Sequence, residues 1–220
     1  MTPSLADIEK RLKEYIPPAE NGDDRLNPGL KKKDGALRDA AVLILLIPRD
    51  GGFSILFTER TKTLHAHAGQ ISFPGGGVEE DDADNAETAL REASEEIGLD
   101  PKNARVIGEL EDYVTRTGFR VKPVVAILEK EQDWAPNPGE VASIFEVPLD
   151  YLLKPGNLSE ESLVFESGER WFYACNYGGH HIWGATAGML KSFANAISDP
   201  PTNANSNAAA PPKKADAPKN

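Results

Sequence analysis

Apolar positions along the chain fall into blocks whose period changes from helical to strand-like and back. At the N-terminus Leu5, Ile8, Leu12 and Tyr15 recur at helical spacing, Ser4 stands where an N-cap belongs, and Pro17-Pro18 stops the run. Residues 19–35 are polar and rich in Gly, Pro and Asp, so they read as loop, with a short basic run at Lys31–Lys33. Ala40–Ile47 is unbroken apolar sequence of strand length, the pattern of a strand buried on both faces. Arg49-Asp50-Gly51-Gly52 signals a turn, and Phe53–Thr58 is the returning strand. Residues 59–70 show no period. Ile71–Phe73 reads as a short strand broken by Pro74 and three glycines.

A second helix follows. Asp81, Asp82 and Asp84 suit its N-terminus by type and by dipole, and Ala86, Leu90, Ala93 and Ile97 form its expected buried line. Gly98 ends it and Pro101 prevents its resumption. Arg105–Leu110 and Val121–Leu128 read as strands separated by a loop at Thr115–Gly118, although Pro123 weakens the start of the second. Residues 131–140 form a loop, and Phe145–Leu153 returns to the core. Leu163–Phe165 and Trp171–Ala174 flank a hairpin turn, and Ile182-Trp183-Gly184 leads into a last helix over Ala185–Ile197. From Asp199 onward Pro, Asn, Ala and Lys dominate, and such a tail cannot bury enough apolar surface to order itself. The expected organisation is an N-terminal helix and loop over 1–35, one domain over 36–198 and a low-complexity tail over 199–220. Mixed strands and helices point to an α/β or α+β sandwich.

Charge narrows the function. With 24 basic and 35 acidic residues the formal net charge is −11, which argues against nucleic acid as a partner. A phosphorylated small molecule remains compatible if a divalent metal neutralises charge locally. The single cysteine, Cys175, rules out an internal disulfide, suits a reducing cytoplasm, and beside aromatics reads as core rather than nucleophile. The N-terminus is no signal peptide, and the longest apolar run falls short of the ~20 residues that span a bilayer. No membrane association is expected, and a homodimer stays open.

The candidate chemistry centres on the second helix. Glu92, Glu95 and Glu96 sit at i, i+3 and i+4 on one face, either a tolerated solvated face or a site for a cation. Carboxylates grouped in this way suit hard ions such as Mg²⁺ or Mn²⁺. Arg91, four residues from both Glu87 and Glu95, can orient the acidic face. Gly75, Gly76 and Gly77 lie just upstream and let backbone approach a ligand. Together these suggest a metal-bridged phosphate attacked by activated water. Arg60, Arg116 and Arg120 could each grip a phosphate. His65 and His67 have no further His or Cys nearby to complete a zinc set.

Residues 77–99 resemble the Nudix hydrolase box, G-x5-E-x7-R-E-U-x-E-E-x-G-U, with U a bulky aliphatic. Gly77, Arg91, Glu92, Glu95, Glu96, Gly98 and Leu99 match it, whereas Ala83 replaces the first glutamate and Ala93 is small for its position. That first glutamate normally helps hold the box arginine. Asp82, Asp84 or Glu87 could take its place.

The stretch Leu56–Gly76, LFTERTKTLHAHAGQISFPGG, is similar to the signature preceding the box in the coenzyme A pyrophosphatase branch. It matches at Arg60, Leu64, His67, Gly69, Gln70, Phe73, Pro74, Gly75 and Gly76. The strand from Arg38 and the segments TGFRVKPVVA, NPGEVASIFEVPL and IWGATA resemble that branch too.

The resemblance implies an α/β/α sandwich with a mixed central sheet. It also implies Mg²⁺ or Mn²⁺ held by Glu92, Glu95 and Glu96, and coenzyme A or acyl-coenzyme A cleaved to 3′,5′-ADP and (acyl-)4′-phosphopantetheine. His67 would be structural or orient substrate, and the general base would be Glu92 or, from a later loop, Glu140. Two alternatives stand beside this: a Nudix hydrolase of ADP-ribose or an NADH-like dinucleotide, and a silent nucleotide-binding sensor, for which Ala83 is the supporting feature.

Overall fold

A computed structural model describes residues 3–18, 21–28, 35–62, 69–165 and 168–198. The basic run Lys31–Lys33, His65, His67 and the tail expected over 199–220 lie outside the described residues.

The fold is built on strand β1, Arg38–Arg49. Ala40, Ile44 and Leu46 point into one core, and Ala41, Leu43, Leu45 and Ile47 into a second on the opposite face. This is the burial on both sides that its unbroken apolar run predicts. Around it lie β2 (Gly52–Arg60), β3 (Ile71–Ser72), β4 (Gly75–Gly77), β5 (Ala104–Glu109), β6 (Tyr113–Val114), β7 (Phe119–Leu128) and β8 (Val141–Pro148), in one eight-stranded sheet. β1 pairs parallel with β7 and antiparallel with β2 and β4, so the sheet is mixed. Pro123 lies inside β7 and Pro148 at the end of β8.

Helices cover both faces. Helix α1, Leu5–Glu14, opens on a reciprocal Ser4–Asp7 capping box and buries Ile8 and Leu12. Helix α2, Asn85–Ile97, lies on the other face, with Ala89, Ala93 and Ile97 in the second core. The short helix α3, Leu149–Leu152, follows β8. A separate three-stranded sheet, β9 (Ser159–Phe165), β10 (Gly168–Tyr177) and β11 (His180–Trp183), leads into helix α4, Gly184–Ile197. Helix α4 shares the first core with α1 through Leu190, Phe193 and Ile197, and Arg11 Nη1 donates to the Ile197 carbonyl. The result is an α/β/α sandwich.

Three departures from the sequence reading bear on the site. Gly75–Gly77, expected only as a break, forms β4 against Ala40–Val42. Residues Asp23–Arg25 form a 3-10 turn inside the expected loop. The buried face of α2 is rotated: Thr88, Ala89, Ala93, Glu96 and Ile97 are buried, while Ala86 and Leu90 are only partly covered. A carboxylate therefore occupies a place the apolar pattern alone would not assign it.

Leu43 is fully buried in β1, so Leu43→Ala should cost about 2–5 kcal/mol of stability in a denaturant titration. Val164, 83% exposed, should tolerate the same truncation within about 0.5 kcal/mol.

Candidate active site

Close approach of α2 to the sheet comes first, and glycine permits it. A Cβ on Gly75 would overlap the Ala41 carbonyl and Val42, and one on Gly76 would collide with the Glu92 carboxylate. With no side chains there, β4 lies directly under the acidic face of α2, and the Gly75 amide donates to Glu96 Oε2 at 3.3 Å.

Arg91 fixes that face. Its guanidinium binds Asp82 in a fork, Nε to Oδ1 at 2.9 Å and Nη2 to Oδ2 at 3.0 Å, and also donates to the Gly77 carbonyl at 3.0 Å. Its Nη1 reaches Glu92 at 3.1 Å and Glu95 at 3.4 Å. Asp82 further accepts from the Glu79 amide and the Thr88 hydroxyl. These donors, Arg91 foremost, hold its carboxyl well below the usual carboxylate range.

Asp82 thus stands in for the glutamate that Ala83 lacks. The other two candidates are used in the helix start. Asp84 is the N-cap, accepting from the Glu87 amide at 2.8 Å, and the Glu87 carboxylate accepts from the Ala83 amide at 2.8 Å.

The far end of α2 is closed by the loop over 131–140. Gly98 takes the left-handed conformation with φ 70°. Amides of Ala135 and Asn137 cap the Ile97 and Glu96 carbonyls, and Gln132 caps that of Gly98. The same loop is tied to the residue that follows β2, the Thr61 amide donating to the Glu140 carbonyl. Glu140 is thereby brought within electrostatic range of both Glu92 and Glu96.

Glu96 is 3% exposed, and burial, reinforced by Glu140 and Glu92, pushes its carboxyl up to about 7 against the pull of Gly75 and Arg60. Burial also raises Glu92, with Glu95 and Glu140 adding to it and Arg91 opposing. Glu95 is more than half exposed and turned to Arg91.

Among the described residues no three His, Cys, Asp or Glu already stand at ligating geometry. The donor chemistry nevertheless fits a hard divalent ion, because grouped carboxylates raised by burial and by one another are the groups such an ion relieves.

Beside this face opens a cleft of about 650 Å³. Arg60 and Gly75–Gly77 belong to both, since Arg60 lines the cleft and lies 3.6 Å from Glu96 Oε1. Among the described residues five cationic side chains line the cleft, namely Arg25, Arg60, Arg116, Arg170 and Lys191, against one acid, Asp23. Asp23 is engaged by the Tyr113 hydroxyl and the Arg116 amide, both at 2.8 Å. In a chain of net charge −11 this concentrates positive potential where a polyanion would enter. Aromatic side chains, Phe119, Trp171, Tyr173 and Trp183 among them, form the walls. Asn27 fixes one wall by giving and taking hydrogen bonds with the Trp171 backbone, at 2.7 and 2.8 Å.

Of the arginines expected to grip phosphate, Arg60 and Arg116 line the cleft. Arg120 does not, and it lies on the sheet surface near Asp39 and Asp112. Sequence reasoning missed Arg25, Arg170 and Lys191, and no local signal marks them.

A family model described as the NUDIX domain matches residues 37–166. The chain belongs to the Nudix family. Nudix hydrolase 15, mitochondrial, of Arabidopsis thaliana is 38% identical over 86% of this chain, which spans 66% of that protein's length. The uncharacterized Nudix hydrolase NudL of Cronobacter sakazakii is 35% identical over 80% of this chain and 91% of its own. Among solved structures, the Caenorhabditis elegans Ap4A hydrolase binary complex aligns with a TM-score of 0.44 at 20% identity, covering 50% of this chain and 80% of that one. A MutT/nudix family protein from Enterococcus faecalis aligns with a TM-score of 0.47 at 15% identity, over 89% and 70%.

The matched Nudix residues contain Arg91, the glutamates and Arg60. Arg25, Arg170 and Lys191 lie before and after them, so the family machinery and much of the cleft wall come from different parts of the chain. No helix among the described residues is long and apolar enough to cross a membrane.

If Asp82 orients Arg91, Asp82→Ala should lower kcat by about 10–100-fold. Activity equal to that of the unmodified protein would remove Asp82 from this role.

Proposed function

We propose that this Nudix hydrolase cleaves the diphosphate of coenzyme A or an acyl-coenzyme A, giving 3′,5′-ADP and 4′-phosphopantetheine or its acylated form. The observation that carries the reading is the cationic cleft abutting the acidic face of α2, with Arg60 and the glycine strand common to both. It is supported by the similarity of Leu56–Gly76 to the coenzyme A signature.

The chain's own groups divide the work. Cationic side chains draw a polyanion into a protein that would otherwise repel it. Arg60, at the boundary, would hold a phosphate oxygen, and the Gly75–Gly77 backbone would let the diphosphate approach without obstruction. Glu92, Glu95 and Glu96 would hold Mg²⁺ or Mn²⁺, as the box resemblance implies. A divalent ion bound there offsets the charge of the bridging phosphates and lowers the pKa of nearby water. Water adds to one phosphorus, the bridging P–O bond breaks, and two phosphomonoesters leave.

The proton of that water goes to a carboxylate, for which we assign Glu140. Glu92 is engaged by Arg91 Nη1 at 3.1 Å and is one of the residues that would hold the ion, whereas the contact of Glu140 with Asn137 Nδ2 is long at 3.5 Å, so Glu140 is the less engaged of the two.

Incubation with Mg²⁺ or Mn²⁺ and coenzyme A, acetyl-coenzyme A, ADP-ribose or NADH, with products identified by mass, tests the substrate. Release of 3′,5′-ADP is expected, and turnover of ADP-ribose alone would contradict the reading.

Proton linkage tests the ion. Glu96 is raised to about 7 in the folded chain, above its unfolded value, so the folded state binds the extra proton between about 4.5 and 7. Stability of the metal-free protein should therefore fall as pH rises through that window, by at most about 3 kcal/mol. A cation must displace the same proton. Mn²⁺ affinity should weaken below pH ~7, with proton release visible in calorimetry across buffers of different ionisation heat. Affinity constant from pH ~5.5 to ~8 would count against Glu96 as a ligand.

A further inference from the structure

Two cations on the cleft wall lack a counter-charge. Arg25, in the 3-10 turn, and the half-buried Lys191, on α4, both line the cleft. Neither side chain makes a hydrogen bond or ion pair among the described residues. Asn21 lines the same cleft, and its Nδ2 is a buried donor with no partner, although its Oδ1 accepts from Ser192 at 3.3 Å. Leaving the buried Asn21 amide unsatisfied is costly, and that spare donor beside two cations, Arg25 exposed and Lys191 half-buried, is the chemistry of an anion site.

Their location separates them from the acidic helix. Gly188, Lys191 and Ser192 share one face of α4 by helical spacing. Gly188 packs directly on the Tyr113 ring, Tyr113 donates to Asp23, and Ser192 bonds to Asn21. That face is therefore turned toward residues 21–25. The sheet gives the distance to α2, whose Arg91 grips Gly77. Gly77 pairs with Ala40, Ala40 with Val121, and Val121 with Tyr113. Three inter-strand steps of ~4.8 Å set the Tyr113 strand about 14 Å from the glycine strand. A diphosphate meeting α2 leaves this far group to a second anionic part of the ligand.

We propose that Arg25, Lys191 and the Asn21 amide form a subsite for a phosphomonoester on the ribose of the nucleotide, distinct from the site of the scissile diphosphate. The assignment rests on the nucleotide reading of the cleft, and for coenzyme A the group is the 3′-phosphate. A phosphomonoester is close to a dianion at neutral pH, matching two unpaired cations. All three residues lie outside the matched family region 37–166, so this recognition belongs to this chain's flanking segments rather than to the shared machinery.

Calorimetric titration of the full chain with 3′,5′-ADP and with AMP isolates the extra phosphate. The unmodified protein should bind 3′,5′-ADP about 10–100-fold more tightly than AMP, as expected for hydrogen bonds to a charged group. In an Arg25→Gln, Lys191→Met double variant with unchanged thermal midpoint, that preference should fall to within about threefold, through weaker 3′,5′-ADP binding. Equal affinity for the two probes in the unmodified protein, or a preference kept by the double variant, would overturn the subsite. Failure to cleave coenzyme A while the binding preference persists would instead count against the substrate reading alone and support the subsite.

Discussion

The grip of Arg91 on Asp82 and the Gly77 carbonyl organises everything at this site. One planar guanidinium ties the start of α2, the glycine strand and two box glutamates into a single unit. Without that cation the acidic face would consist of like charges a helical turn apart, which repel. Glycine sets the other half of the constraint, since any side chain at Gly76 would displace Glu92. Charge and steric clearance therefore fix the same pair of elements against each other.

The second organising feature is the separation of charge across a short distance. Glu96, coupled to Glu92 and Glu140, lies 3.6 Å from Arg60, and Arg60 also lines the cationic cleft. Burial, reinforced by Glu140 and Glu92, pushes the Glu96 carboxyl up to about 7, so a cation held there would have to displace a proton. The cationic side makes an overall acidic protein compatible with a polyanionic substrate. Each side compensates for what the other would repel, which accounts for their sharing Arg60 and β4.

Much of the architecture is legible in the chain. The unbroken run Ala40–Ile47 announces a strand buried twice, and Gly98 marks the end of α2. Other features are not legible for identifiable reasons. Gly75–Gly77 carries no apolar pattern, so its pairing with β1 is a tertiary fact. Periodicity places Leu90 on the buried line, yet Glu96 is the more buried, because the α2 face is set by the glycine strand and by Arg91 rather than by hydrophobicity. Ala83 reads as a lost glutamate, and only the three-dimensional position of Asp82 one residue earlier shows how the arginine is held. The cleft was invisible because Arg25 sits in a polar loop and Lys191 on a mostly apolar helix, and only the fold brings them together.

The central claim is that the acidic face and the cationic cleft act on one ligand. A crystal grown with Mn²⁺ and 3′,5′-ADP tests it directly through the anomalous signal of the manganese. Manganese bound by Glu92, Glu95 and Glu96, with the nucleotide lying in the cleft and its 5′-phosphate toward Arg60, is the expected result. Manganese elsewhere on the surface, or the nucleotide outside the cleft, would contradict it.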